Sequence, residues 1–497
     1  MNWKKLHIIL IVSAISLTFN GCYSTMLTQE NQTAAATDRE TVVAMPQIAK
    51  AKLFQHAMPE VYKLDNGMDV LYVHNPMIPL MNMKVVFNSG GSADPKDKSG
   101  LSSFTATMLK EGANGKSAQE LSDAVERIGA TLGPGMTQDT GSIYIESLTQ
   151  YFGAAVDILS DVWLKPDFTQ ESFERLQKIV VMRLQQRADS PTAVAKLASD
   201  TAYFGMENPY GRSVDGYVDT VSRMTVEDIK ARYADLFHPS RAAIVGVGDM
   251  EPSKFVALMN DKFGKLDREK DAPKVVDLGF EKVEVKRRLV VVDKPNAPQT
   301  VIRIYEPAVS STSLETLTWQ FVNIPFGGSF TSRLMQNIRE DKGYSYGASS
   351  GVVSMLHDGV FVSTSSVESG VTGAALGEFM AELSRLPKGD FDEDEFARAR
   401  ETWKAELVQS FETQAGVLAT IAGLYVNDKP MTAINDFARE LETYDLAKFN
   451  AIAREFPTID EATIVLVGDR STILSQIAGM DLPEPEFYDT QGHRVVN

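Results

Sequence analysis

With one cysteine in 497 residues, Cys22, the chain has no intrachain disulfide framework. Histidine is nearly as scarce. The six residues include no pair at the i, i+4 spacing that sets two imidazoles on one helix face, and no H-x-x-E-H run. His74, His238, His357 and His493 stand singly and read as surface or structural side chains. No Ser/His/Asp or Cys/His constellation is visible either, which removes the usual nucleophilic hydrolases. Positive charge is also short: 49 Lys and Arg against 66 Asp and Glu give a net charge of −17. No basic block follows the N-terminal segment, so binding to nucleic acid is excluded, because phosphate contacts need clustered Lys and Arg. No apolar run reaches the ~20 residues of a membrane-spanning helix.

What is present begins at the N-terminus. Lys4 and Lys5 precede an apolar stretch from Leu6 to Phe19, followed by Asn20-Gly21-Cys22. A charged region, a short apolar core and a small residue before a cleavage point read as a signal peptide over 1–22. Cys22 sits where a bacterial lipoprotein is cleaved and acylated, although Phe19 stands where such sites usually carry Leu. Tyr23 rather than Asp follows it, and resemblance to other lipoproteins then points to the outer membrane. Residues 23–50 are rich in Thr, Gln, Ala and Asn and read as a flexible tether. The expected location is the bacterial envelope, facing the periplasm.

The rest of the chain repeats itself. Ala243-Ile244-Val245-Gly246-Val247-Gly248-Asp249 returns as Thr463-Ile464-Val465-Leu466-Val467-Gly468-Asp469, about 220 residues on. Asp167-Phe168 with Phe173 returns as Asp390-Phe391 with Phe396, and Asp139 returns as Asp358, at nearly the same offset. A period this long means tandem domains, here 54–264 and 285–497, joined by a charged linker over 265–284 that contains Pro273. Met68–Val73 and Met83–Phe87 read as the strands of a hairpin. Residues 101–110 and 171–187 carry apolar side chains at helical spacing. The expected class is α+β, each copy a mostly antiparallel sheet with helices on one face.

Several segments, in order, resemble the pitrilysin/insulinase family of inverted zincins. They are Ser89-Gly90-Gly91-Ser92-Ala93-Asp94-Pro95, Gly100 to Met108, Asn208-Pro209-Tyr210-Gly211-Arg212, and Gly327-Gly328-Ser329-Phe330-Thr331-Ser332-Arg333-Leu334 with Ile338-Arg339-Glu340. The resemblance covers nearly everything after the tether and implies half of a clam-shell. Active members carry H-x-x-E-H on a helix after Gly-Leu, two zinc ligands one turn apart with a general base beside them, and a distant Glu ligand. Here the corresponding positions are Ser103, Ala106 and Thr107, with Arg183 at the distant Glu. Neutral hydroxyls are poor zinc ligands, Ala106 cannot take a proton, and a guanidinium repels a dication. The second copy keeps Glu406 beside Leu407, but its motif helix has no His, so Glu406 reads as a surface carboxylate.

The resemblance also implies a substrate-holding Arg and Tyr in the second domain, at a spacing that Arg339 and Tyr346 match. An Arg donates to substrate carbonyls and a Tyr hydroxyl supports a developing oxyanion. Gly343 is expected as a helix C-cap leading into a strand that carries Tyr346, with Tyr344 on the same strand face as a competitor. Gly327 and Gly328 lack the Lys and spacing of a phosphate loop and are expected to allow close backbone approach.

Some bacterial relatives work as heterodimers in which one chain brings zinc and the other the Arg/Tyr pair. The expectation is a non-catalytic, substrate-binding subunit that binds no cofactor itself, partnered by a homologous zinc-bearing subunit. Its substrates would be peptides or unfolded proteins, bound by strand addition to a sheet edge. The alternative is a binding or scaffold lipoprotein of the same fold with no peptidase role.

Overall fold

Two six-stranded sheets organise the computed structural model, which describes residues 54–274, 278–280, 283 and 285–495. The expected signal peptide, Cys22 and the tether lie outside the described residues, as does part of the 265–284 linker. The first sheet contains β1 (Glu60–Lys63), β2 (Asp69–His74), β3 (Leu80–Phe87), β4 (Thr131–Met136), β5 (Gly141–Leu148) and β6 (Ala242–Gly248), in the order β1-β2-β6-β3-β5-β4. The second contains β7 (Arg288–Asp293), β8 (Gln299–Pro307), β9 (Ala348–Ser354), β10 (Gly359–Glu368), β11 (Thr463–Gly468) and β12 (Glu486–Tyr488), in the order β9-β10-β8-β11-β7-β12. Five strands of each sheet follow one order, as the duplication requires. The ladders are antiparallel except β2–β6, β7–β11 and β7–β12.

The hairpin expected over 68–73 and 83–87 does not form, because β6 lies between β2 and β3. Every residue of β6 is buried, as is every residue of β11. A strand without a polar face is best placed mid-sheet, where covering layers extend past it on both sides. That demand overrides the short 75–79 connection, which by itself favours direct pairing.

Five helices build the clefts and join the two halves: α1 (Leu101–Met108), α2 (Gln170–Arg187), α3 (Pro191–Phe204), α4 (Glu393–Ser410) and α5 (Gln414–Val426). Each sheet carries helices of its own half on one face; in the first half Val85, Phe87 and Ile143 pack against Phe152, Val156 and Trp163. The opposite face is closed by a helix from the other half. On the first sheet, Leu71, Val73 and Val245 bury against Val417, Leu418 and Ile421 of α5. On the second, Val290, Val292 and Val465 bury against Val194, Ala195 and Ala198 of α3. Burying each such Val or Ile contributes ~1.5–3 kcal/mol.

Polar contacts fix the exchange. Gln414 Nε2 donates to the Asn75 carbonyl at 3.0 Å, and Tyr425 Oη donates to Asp69 at 2.9 Å. The turns preceding β5 and β10 also meet, since Asp139 accepts from Leu356 N at 3.0 Å and from Tyr210 Oη at 2.7 Å. Among the described residues no helix is long and apolar enough to cross a membrane.

Candidate functional site

The α1 helix is held at its start by a buried carboxylate. Asp94 accepts from Ser102 N at 3.0 Å and Ser102 Oγ at 2.5 Å, and lies 3.4 Å from Nε of the equally buried Arg232. Burial pushes the Asp94 carboxyl above its ordinary value, against the pull of Arg232 and Ser102. This anchor fixes how α1 is turned. Ser103 and Thr107, one turn apart, face a cleft of about 300 Å³, whereas Ala106 is 3% exposed and belongs to the first core.

The opposite wall is α2. It begins on the cap from Thr169 and buries Phe173, Leu176, Val180 and Leu184, which aligns its other side chains with α1. Arg183 and Arg187 therefore line the same cleft, with Asp215 from the loop ahead. The structure thus gathers Ser103, Thr107 and Arg183 in one place and leaves Ala106 behind the wall. Ser103 Oγ donates to Asp215 at 3.1 Å, and Thr107 Oγ1 donates back to the Ser103 carbonyl at 2.9 Å. Arg187 reaches Ser213 Oγ at 2.9 Å and the Gly216 carbonyl at 3.0 Å, and burial draws its pKa down while Asp215 opposes.

These groups do not fit zinc. Two hydroxyls already committed to protein acceptors, a methyl group and a guanidinium supply no ligand set for a dication. Among the described residues no group of three His, Cys, Asp or Glu could hold a metal ion. The equivalent cleft of the second half is lined by Glu406, Trp403 and Leu407 of α4, with Gly328 and Asn323. Glu406 is exposed at its rim, and partial burial raises its pKa.

The Gly-rich segment starts inside one stretch of π-helix, Ile324–Gly328, and leads to a second, Gln336–Asp341, a geometry that often marks functional positions. Arg333 fixes it through ion pairs at 2.6 Å to both Asp390 and Glu395. A Cβ on Gly327 would stand 2.7 Å from Ser350 N, so glycine allows the close approach to β9. Arg339 follows, with its guanidinium carbon 4.5 Å from the Phe330 ring centroid, and Phe330 is itself 66% exposed.

Gly343, at φ +65°, ends the helix as expected, since its N–H reaches the Arg339 carbonyl and Tyr344 N reaches the Ile338 carbonyl. The strand does not begin there. Tyr344 and Tyr346 occupy the connection, and β9 starts only at Ala348. Serine side chains delay it: Ser345 Oγ bonds the carbonyls of Gly347 and Ser366, holding a bend instead of a ladder. Tyr344 packs against the second core, while Tyr346 is 94% exposed and makes no hydrogen bond among the described residues. No hydrogen bond, ion pair or ring contact among the described residues joins Arg339 or Tyr346 to the α1–α2 cleft.

Motif spacing alone does not single out Arg187, Asp215 or Phe330 as site residues. Arg187 could be found one helical turn after Arg183, and Phe330 inside the Gly-rich segment; Asp215 has no local signal.

Residues 69–214 match the family model described as insulinase (peptidase family M16), and residues 223–402 match the peptidase M16 inactive domain. A relative from Bacillus subtilis, the uncharacterized zinc protease YmxG, is 23% identical over 430 residues, 82% of this chain and 97% of that one. The non-peptidase homolog YmxG of Helicobacter pylori is 23% identical over 278 residues, 56% of this chain and 63% of its own. Among solved structures, a peptidase M16 inactive domain from Pseudomonas fluorescens superposes with a TM-score of 0.77 at 21% identity, covering 83% of this chain and 98% of its own. A protease from Helicobacter pylori gives 0.76 at 18% identity, covering 82% and 99%.

Fold and site together define a two-domain α+β, pitrilysin-like fold whose zinc-motif positions carry no metal-ligating side chain. The chain belongs to peptidase family M16, the insulinase family, as a zinc-less, non-catalytic member.

Proposed function

We propose that this chain is the substrate-binding subunit of a hetero-oligomeric zinc metallopeptidase, paired with a homologous subunit that bears the zinc motif. Its substrates are peptides or unfolded proteins of the bacterial envelope. A lipid on Cys22 holds it at the outer membrane, the choice that Tyr23 after the Cys favours. One observation carries the reading: every zinc position is lost while Tyr346 stands open to solvent and Arg339, backed by the exposed ring of Phe330, is partly exposed. Arg and aromatic side chains of this kind are enriched at binding surfaces.

In the complex, Arg339 would donate to carbonyls of the bound peptide and Tyr346 Oη would donate to the oxygen that gains charge as the peptide bond is attacked. The other chain supplies the metal chemistry. Peptide backbone would add to an open sheet edge, so selection is by chain accessibility more than by side-chain sequence.

The test is peptidase activity of this chain alone and mixed with its zinc-motif relative from the same cell. Turnover only in the mixture, reduced ~10²–10³-fold by Arg339→Ala or Tyr346→Phe, is the expected result. A chain that neither binds the relative nor alters its activity overturns the reading and leaves a binding or scaffold protein of the same fold.

A further inference from the structure

We propose that the emptied metal position has become an anion site, taking a carboxylate carried by a bound peptide. That the ligand is a peptide rests on the subunit reading above; the sign of its charge does not. Two arginines on one turn-spaced face of α2, Arg183 and Arg187, confront Ser103 and Thr107 on α1 across a cleft of about 300 Å³. That volume is at the low end for small-molecule sites and suits one side chain or a chain end.

The charge balance decides the ligand. Among the described residues Asp215 is the one acidic side chain lining this cleft, and it is engaged by Ser103 and lies near Arg187. Arg183 is exposed and makes no hydrogen bond or ion pair among the described residues, so one positive charge is in excess. Arg187 spends its two terminal nitrogens on Ser213 and Gly216, and its Nε has no acceptor among the described residues. Phe104, Val180 and Leu184 form an apolar wall that lowers local polarity and strengthens an ion pair made there. Where an active relative gathers a carboxylate and imidazoles around a dication, this cleft presents cations around a gap, the opposite sign in the same place. A planar guanidinium with free donors matches a carboxylate two-pronged, which an ammonium does not.

The test uses this chain without any zinc-bearing partner. Three dye-labelled peptides of one neutral sequence are compared by fluorescence anisotropy: one with a free C-terminal carboxylate, one amidated, and one amidated with a central Glu. At least one carboxylate peptide is expected to bind about tenfold tighter than the neutral amide, with the advantage shrinking as salt rises. Preference for the first identifies a chain end, and for the third a side chain. Arg183→Ala, at an exposed position without partners, removes the advantage, and Arg183→Lys restores part of it.

Equal binding of the three peptides, no binding of any, or a preference that survives Arg183→Ala overturns the proposal. A charge preference intact in a chain that gives no turnover with its zinc relative overturns only the subunit reading. Turnover in the mixture without any charge preference overturns only the anion site.

Discussion

Arg339 and Phe330 form a stack in which the aromatic ring, not a carboxylate, is the cation's main support: the guanidinium carbon stands 4.5 Å from the ring centroid. The neighbouring Glu340 carboxylate, 3.4 Å from Arg339 Nε, is half-exposed and holds it only weakly. A ring keeps a guanidinium oriented without consuming its donors, as the proposed contact with a ligand's carbonyls requires.

Phe330→Ala is therefore expected to act through Arg339. The stack is worth ~0.5–1 kcal/mol at an exposed site, too little to affect folding. Activity of the mixed enzyme should fall, mainly through a higher KM, and Phe330→Tyr should restore it. Steady-state kinetics of the mixture, with an unchanged unfolding midpoint as control, checks this.

The crossed helices make the two halves one folding unit. Ile421 of α5 is fully buried against the first sheet, and Ile421→Ala should cost ~2–4 kcal/mol by leaving a cavity between halves. Urea unfolding followed by far-ultraviolet dichroism and by tryptophan fluorescence (Trp163 in the first half, Trp319 and Trp403 in the second) should give coincident transitions before and after the change.

Glu306 on β8 is 1% exposed, and one of its oxygens, Oε1, has no hydrogen-bond partner among the described residues. Burial first, and Glu461 second, hold its carboxyl well above the ordinary carboxylate range. The folded protein then keeps a proton that the unfolded chain releases. Its contribution to stability is complete below the unfolded pKa and is lost as pH rises toward the folded value. Glu306→Gln should accordingly raise the urea midpoint at neutral pH and leave it nearly unchanged near pH 4.5, the ordinary value.

Zinc binding should be recoverable in part. Ser103, Thr107 and Arg183 already share one cleft, so Ser103→His with Thr107→His and Arg183→Glu is expected to take up zinc, measured by equilibrium dialysis. Adding Ala106→Glu places a carboxylate where the side chain now meets the core, and should lower the melting temperature.

How far the sequence foretells these positions depends on whether the signal is local. Ser103 and Thr107 sit one turn apart on α1, and the apolar spacing of Phe173 to Leu184 sets the facing of α2, so their convergence with Arg183 is readable from motif and period. The duplication is readable because β6 and β11 carry matching, mostly apolar sequences that both run into Gly-Asp. Insertion of β6 between β2 and β3 is not, since its cause lies some 150 residues downstream. The exchange of α3 and α5 is equally hidden: Val194 and Ile421 look like any amphipathic helix residue, and nothing in their own segments says whose sheet they cover. Tyr346 falls outside the strand expected to carry it because the bonds from Ser345 that delay β9 depend on Ser366 from the adjacent strand.

The crossed helices also constrain how such a chain could have arisen and how it can move. Split at the linker, each half would carry away the lid of the other and leave an apolar sheet face such as Leu71, Val73 and Val245 in water. A single-copy forerunner would therefore have had to exist as a domain-swapped homodimer, its two genes later fused end to end. The same interlock removes the hinge. With each half clasping the other, gaping between the halves would expose the apolar faces that α3 and α5 now cover.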